Sequence, residues 1–119
     1  APQINGDGFQ AYDFIYVEDV AKSNVDALLS DVELGFYNVG TEVQTSIKEL
    51  CDTILSLKES PLEVVYRPYS ADDARQLVQN RIGSRKKAEE ELAFKYQYSL
   101  EQGLQKLIDW RVSQGIDKA

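Results

Sequence analysis

Two copies of one short motif constrain this chain more than anything else in it. Ser46-Ile47-Lys48-Glu49 and Ser99-Leu100-Glu101-Gln102 both have the form of a capping box. In that motif a serine hydroxyl takes the N–H three residues on, and the acid or amide at that position reaches back. Behind the first come Ile47, Leu50, Cys51, Ile54 and Leu55 at helical spacing; behind the second come Leu100, Leu104, Leu107, Ile108 and Val112. Two amphipathic helices therefore start at defined residues, and each needs its apolar face covered.

Between and before them lie shorter signals. Ile4-Asn5-Gly6-Asp7-Gly8 is turn chemistry. The β-branched and aromatic run Tyr12 to Val17 reads as a strand. Val20, Ala21, Val25, Leu28 and Leu29 then repeat as a helix, with Asp19 as its expected N-cap and Gly35 as its break. Phe36-Tyr37-Asn38-Val39, closed by Gly40, reads as a short buried strand, and Leu62 to Tyr66 as another. Residues 67–80 show no period and read as a loop; Ser84 is placed to cap a helix carrying Ala88, Leu92 and Ala93. The sum is three or four helices and three or four short strands, a mixed α/β chain whose 119 residues allow one domain at most.

Charge and residue usage exclude several functions. Thirteen basic against twenty acidic residues leave a net charge of −7, against nucleic-acid binding, which needs a basic face. With no histidine, Ser-His-Asp and Cys-His catalysis and His-containing zinc sites are excluded. One cysteine, Cys51, allows no internal disulfide and points to a reducing, cytoplasmic setting. On the apolar side of its helix that thiol is expected to be buried and inert. No apolar stretch approaches the roughly 18 residues of a membrane span, and no membrane partner is expected. The absence of methionine implies either a start Met removed ahead of Ala1 or a piece of a longer protein.

In order and spacing, several stretches resemble the C-terminal part of the extended short-chain dehydrogenase/reductases, the family of NAD-dependent sugar-nucleotide epimerases and dehydratases. They are Gly6-Asp7-Gly8-Phe9-Gln10-Ala11-Tyr12-Asp13-Phe14-Ile15-Tyr16-Val17-Glu18-Asp19-Val20, then Phe36 to Thr41, Asn80 to Ser84 with Lys87-Ala88, and Glu101-Gln102-Gly103-Leu104 with Trp110. The resemblance, to a UDP-glucose 4-epimerase-like enzyme, covers nearly the whole of residues 1–119. It implies a substrate-binding lobe plus a strand-helix-strand segment, residues 17–42, that returns to a Rossmann sheet. The N-terminal NAD-binding domain is absent from this chain: there is no Gly-x-x-Gly-x-x-Gly, and no tyrosine lies four residues before a lysine. The apolar side of 17–42, with Val25, Leu28, Phe36 and Val39, then needs another partner or stays exposed.

The resemblance further implies a segment with no catalytic residue of its own. Such a segment holds a nucleotide-sugar, a UDP-sugar first, while NAD and the chemistry reside in the parent enzyme. Its substrate-binding candidates are Gln10, in the hairpin that approaches the nucleotide, with Phe9 beside it; Tyr12, where many members carry an arginine; and Arg75, near a second phosphate-contacting arginine. Guanidinium suits phosphate because its planar fork bonds two oxygens at once. Arg67 and Arg81 are lesser alternatives, and Arg85-Lys86-Lys87 reads as a solvated helix face. Asn38 and Gly40 serve the turn after the strand, and Glu42 stands where members often have glycine. The carboxylates Asp72-Asp73 and Glu89-Glu90-Glu91 read as solvated. The competing reading is a stand-alone, non-catalytic module that binds a protein partner or itself through the exposed side of 17–42. The sugar, the base and the choice between epimerase and dehydratase lie outside these residues.

Overall fold

In a computed structural model the described residues are 1–70 and 80–116. Their elements are β1 (Gln3–Asn5), β2 (Ala11–Asp13), α1 (Val17–Leu29), β3 (Gln44–Ser46), α2 (Ile47–Leu57), β4 (Val65–Arg67), β5 (Asn80–Arg81), α3 (Lys86–Leu92) and α4 (Leu100–Ser113). The chain interleaves two compact units, Ala1–Asp13 with Val43–Ile82, and Phe14–Glu42 with Gly83–Ala119. The mixed α/β class expected from the sequence is the observed one.

The first unit is built on two small sheets. β1 and β4 pair in parallel, Gln3 opposite Val65 and Asn5 opposite Arg67. β2 is the middle strand of the other sheet, antiparallel to β3 and parallel to β5. Ser46 ends β3 and caps α2. Its hydroxyl accepts the Glu49 N–H at 3.1 Å, and Glu49 Oε2 accepts the Ser46 N–H at 2.7 Å. That backbone bond to the charged form holds the Glu49 carboxyl below its ordinary range. The capping contribution is therefore present above the unfolded carboxyl's pKa and is lost as pH falls through the lower folded value.

α2 then uses its next two N–H groups outward. Ile47 and Lys48 donate to the carbonyls of Gln10 and Gly8, both at 3.0 Å. First-turn donors that a helix cannot satisfy internally thus pin the loop between β1 and β2. Ile4, Ala11 and Thr45 are buried here.

In the second unit, Asp19 does not cap α1. The N-cap is Tyr16, without a side-chain bond, and Asp19 falls inside the first turn, 1% exposed. Its two carboxylate oxygens accept the N–H groups of Gln97 and Tyr98 at 2.8 and 3.2 Å. The helix N-terminus favours the negative charge, and the two donors replace its water. On the same approach Tyr16 and Tyr98 meet edge to face, ring centres 5.0 Å apart. A Cβ on Gly103 would lie 3.0 Å from Tyr16 Cβ, so the glycine inside α4 admits the Tyr16 side chain. α3 ends at Ala93, whose left-handed φ of 54° turns Phe94 inward to 1% exposure beside Ala88 and Leu92. Both predicted capping boxes are present, that of α4 with Ser99 and Gln102.

Three further expectations need correction. The strand read over Tyr12–Val17 is shorter, because β3 and β5 offer a ladder only to Ala11–Asp13. Phe36–Val39 is not a strand: among the described residues no strand lies beside it, and Phe36 is 87% exposed. Arg85-Lys86-Lys87 is not one solvated face. Arg85, not Ser84, is the N-cap of α3; its N–H meets Glu42 Oε1 at 2.8 Å, its guanidinium bonds Glu89 and the Thr41 carbonyl, and it lies 5.1 Å from the Tyr96 ring centre. Lys87 donates to the Phe36 carbonyl and sits 4.7 Å from the Tyr37 ring centre. Only Lys86 remains solvated.

Asp19→Asn turns one of two acceptors into a donor facing an N–H. It should lower the stability of the second unit by about 1–3 kcal/mol, read as a shift in the thermal midpoint.

Candidate functional site

The loop Gly6–Gln10 is shaped from both sides. Asp7 Oδ1 accepts the Phe9 N–H at 2.9 Å, and Gly6 and Gly8 take φ of 82° and 76°, left-handed values that suit glycine. The Tyr69 ring lies on Gly6; a Cβ there would sit 2.1 Å from Tyr69 Cε2. The Gly6 N–H donates to the Arg67 carbonyl at 2.6 Å. Phe9 projects into solvent at the tip, 71% exposed.

Two polar atoms of this unit stand out. Among the described residues Gln10 Oε1 and the Tyr69 hydroxyl are buried with no hydrogen-bond partner. A buried polar atom left unpaired costs about 1–3 kcal/mol, which sets these two apart from the other buried polar side chains described. The Gln10 oxygen takes a donor, and the tyrosine hydroxyl takes either partner.

Tyr12 is half-buried in the middle of the three-stranded sheet, with Thr45 opposite on β3 and Arg81 in register on β5. Arg75 lies outside the described residues. Gln10, Tyr12, Tyr69 and Arg81 all belong to the first unit, Tyr69 against Gly6 and Arg81 in register with Tyr12. Tyr69 carries no signal in the sequence, because its role rests on packing against Gly6. Arg81 becomes a neighbour of Tyr12 only through a strand register that no local pattern encodes.

Other candidates resolve into structure. Cys51 is half-buried rather than buried, and that partial burial pushes its thiol up, away from a reactive thiolate. Glu89 pairs with Arg85, Glu90 with Lys86, and Glu91 accepts the Tyr37 hydroxyl, which that bond holds above its ordinary pKa. Asp72 and Asp73 lie outside the described residues. An open groove of about 460 Å³ in the second unit is lined by Asp26, Asp31, Glu90 and Glu91, a wall that repels anions. Among the described residues no group of three or more His, Cys, Asp or Glu is placed to hold a metal.

A dinucleotide cradle does not fit these residues. It needs a glycine turn that opens into a helix whose first N–H groups face the pyrophosphate. Here Gly6 and Gly8 lead into β2, and the Ile47 and Lys48 N–H groups of α2 are already taken by loop carbonyls.

No family model matches the chain. Over 110 residues it is 36% identical to a Methanocaldococcus jannaschii protein assigned as a UDP-glucose 4-epimerase, covering 92% of this chain and 34% of that one. The fold superposes on the crystal structure of UDP-glucose 4-epimerase with UDP-glucose from Thermotoga maritima, with a TM-score of 0.84 at 28% identity, over 98% of this chain and 36% of that one. It also superposes on the Bordetella bronchiseptica enzyme WbmF in complex with NAD+ and UDP, with a TM-score of 0.75 at 30% identity, over 93% and 32%. The chain belongs to the NAD-dependent sugar-nucleotide epimerase family. It corresponds to the C-terminal part of those proteins and spans about a third (34%) of the length of the curated relative.

Within this family member the Gly6–Gln10 loop depends on glycine backbone geometry. Gly6→Ala should displace the Tyr69 ring and strain a left-handed residue at a cost of about 1–2 kcal/mol. The chemical shifts of Tyr69 and the thermal midpoint would both record it.

Proposed function

We propose that this chain is the substrate-side segment of an NAD-dependent sugar-nucleotide epimerase or dehydratase, with the first unit holding the nucleotide-sugar and no catalytic group of its own. One observation carries the reading: at the end of the Gly6–Gln10 loop, just before β2, Gln10 Oε1 is a buried acceptor with no hydrogen-bond partner among the described residues. The related structures from Thermotoga maritima and Bordetella bronchiseptica, which hold UDP-glucose in one case and NAD+ with UDP in the other, support it. Gln10, Tyr12 and Arg75 are the residues assigned to the ligand. Binding energy gathered at the nucleotide, remote from the reacting carbon, positions the sugar for chemistry supplied elsewhere in the parent protein. NAD belongs to that other part, since these residues form no cradle for it. The parent is assigned to the cytoplasm, where a lone thiol stays reduced.

Residues 17–42 are assigned to packing against the NAD-binding domain of the parent. Leu28, Leu29 and Phe36 are 82%, 78% and 87% exposed, more apolar surface than one short helix and loop ordinarily present to water. The same surface favours a second reading, a self-associating module without a ligand. Among the described residues no helix is long and apolar enough to cross a membrane, so a lipid-spanning role for this face has no support.

UDP-glucose titrated into the 119-residue chain should shift the amides of Gln10 and Tyr12 saturably; the absence of any shift there would overturn the ligand reading. In sedimentation the chain should associate weakly. Leu28→Asp with Phe36→Asp should abolish that association and leave the titration unchanged. A tight dimer that ignores UDP-glucose would instead establish the module.

A further inference from the structure

We propose that Asn5–Gly6 is a self-modification site, where asparagine converts to aspartate or isoaspartate, and that the β1–β4 ladder holds it in check. Of the four asparagines only Asn5 precedes a glycine; Asn24 and Asn38 precede valine, and Asn80 precedes arginine. The conversion begins with attack on the asparagine Cγ by the next backbone nitrogen, and glycine, lacking a Cβ, obstructs that ring closure least. The Gly6 nitrogen loses its proton to water and bonds to Asn5 Cγ. The Cγ–Nδ2 bond breaks, and the amide nitrogen takes up a proton and leaves as ammonia. Water then opens the cyclic imide. Cleavage at Cγ gives aspartate; cleavage at the main-chain carbonyl gives isoaspartate, whose backbone runs through the side chain and is one methylene longer. Either product adds one negative charge to a chain already at −7.

The fold exposes the side chain and locks the nucleophile. Asn5 is exposed at the end of β1, while Gly6 gives its N–H to the Arg67 carbonyl at 2.6 Å. A nitrogen whose proton is held in such a bond is a poor attacker. The bond continues the ladder in which Asn5 faces Arg67 and Gln3 faces Val65. That lock is short. β1 and β4 have three residues each, and among the described residues they pair only with one another. A two-stranded pairing is marginal by itself, and local openings of this kind do not require the whole domain to unfold. Each opening frees the Gly6 nitrogen beside an exposed amide. Isoaspartate, with its longer backbone, then carries Gly6 out of its place against the Tyr69 ring and the Arg67 carbonyl.

The test follows Asn5 in the full 119-residue chain, by mass spectrometry of tryptic peptide 1–22, which holds no other asparagine. In heavy-oxygen water the product should take up one labelled oxygen. Conversion in the folded chain should be at least roughly tenfold slower than in the chain unfolded by urea, a ratio equivalent to about 1.4 kcal/mol of opening. Val65→Pro removes the N–H that meets the Pro2 carbonyl at 2.9 Å, and should speed both the conversion and the hydrogen exchange of the Gly6 amide. Urea below the unfolding transition, applied to the wild type, gives the same comparison if Val65→Pro does not fold. Asn24 and Asn38, each before a β-branched valine, should lag behind Asn5 in the unfolded chain. If the unfolded chain keeps Asn5 intact, the site does not exist. If the folded chain converts as fast as the unfolded one, or Gly6 exchange rises with no faster conversion, the ladder is no guard. Any of these results overturns the proposal.

Discussion

The Asp19 carboxylate, buried in the first turn of α1, ties together parts of the chain that no local interaction would hold. Its oxygens accept the N–H groups of Gln97 and Tyr98, so the segment leading into α4 is anchored on the start of α1. Around that anchor the rest of the second unit arranges itself. Tyr16 meets Tyr98, Gly103 clears space for Tyr16, and the Glu18 carboxylate stands 3.4 Å from Lys106 Nζ at the solvent edge. A charge this buried is tolerable only with both oxygens satisfied, so the backbone at 97–98 has little freedom to move without exposing it.

In the first unit it is backbone groups that shape the Gly6–Gln10 loop. The N–H groups that begin α2 hold the carbonyls of Gly8 and Gln10, and Tyr69 lies over Gly6. The loop is therefore set by neighbours on either flank before any ligand arrives, which limits the ordering cost of binding. Gln10 Oε1 and the Tyr69 hydroxyl are buried without a partner among the described residues, and the sheet sets Arg81 in register with Tyr12.

Legibility in the sequence tracks the range of the interactions. Both capping boxes close within three residues, and both are readable with their partners. The glycine turn at 6–8 is readable for the same reason. Glu42 is readable as a departure from family pattern, and it does take a left-handed φ of 59°, where glycine would sit without strain. Asp19 misleads because an acid near a helix start looks like a cap whatever its true partner, and its partners are 78 and 79 residues away. Phe36–Val39 has the composition of a strand, but a strand exists only with a neighbour, and composition does not provide one. In the sequence Arg81 is one surface arginine among several; only the β2–β5 register sets it apart. Arg75, favoured by its position relative to the family motif, falls outside the described residues.

The interleaving of the two units bears on how the chain comes into being. Neither is a continuous stretch: Ala1–Asp13 waits for Val43–Ile82, and Phe14–Glu42 waits for Gly83 onward. A ribosome delivers these pieces in alternating order, so α1 emerges with its buried acid unmatched and must persist through the synthesis of the whole inserted stretch before residues 97 and 98 arrive. Folding of the second unit is thus a late event, and until then the Asp19 carboxylate is without the two N–H groups that later cover it.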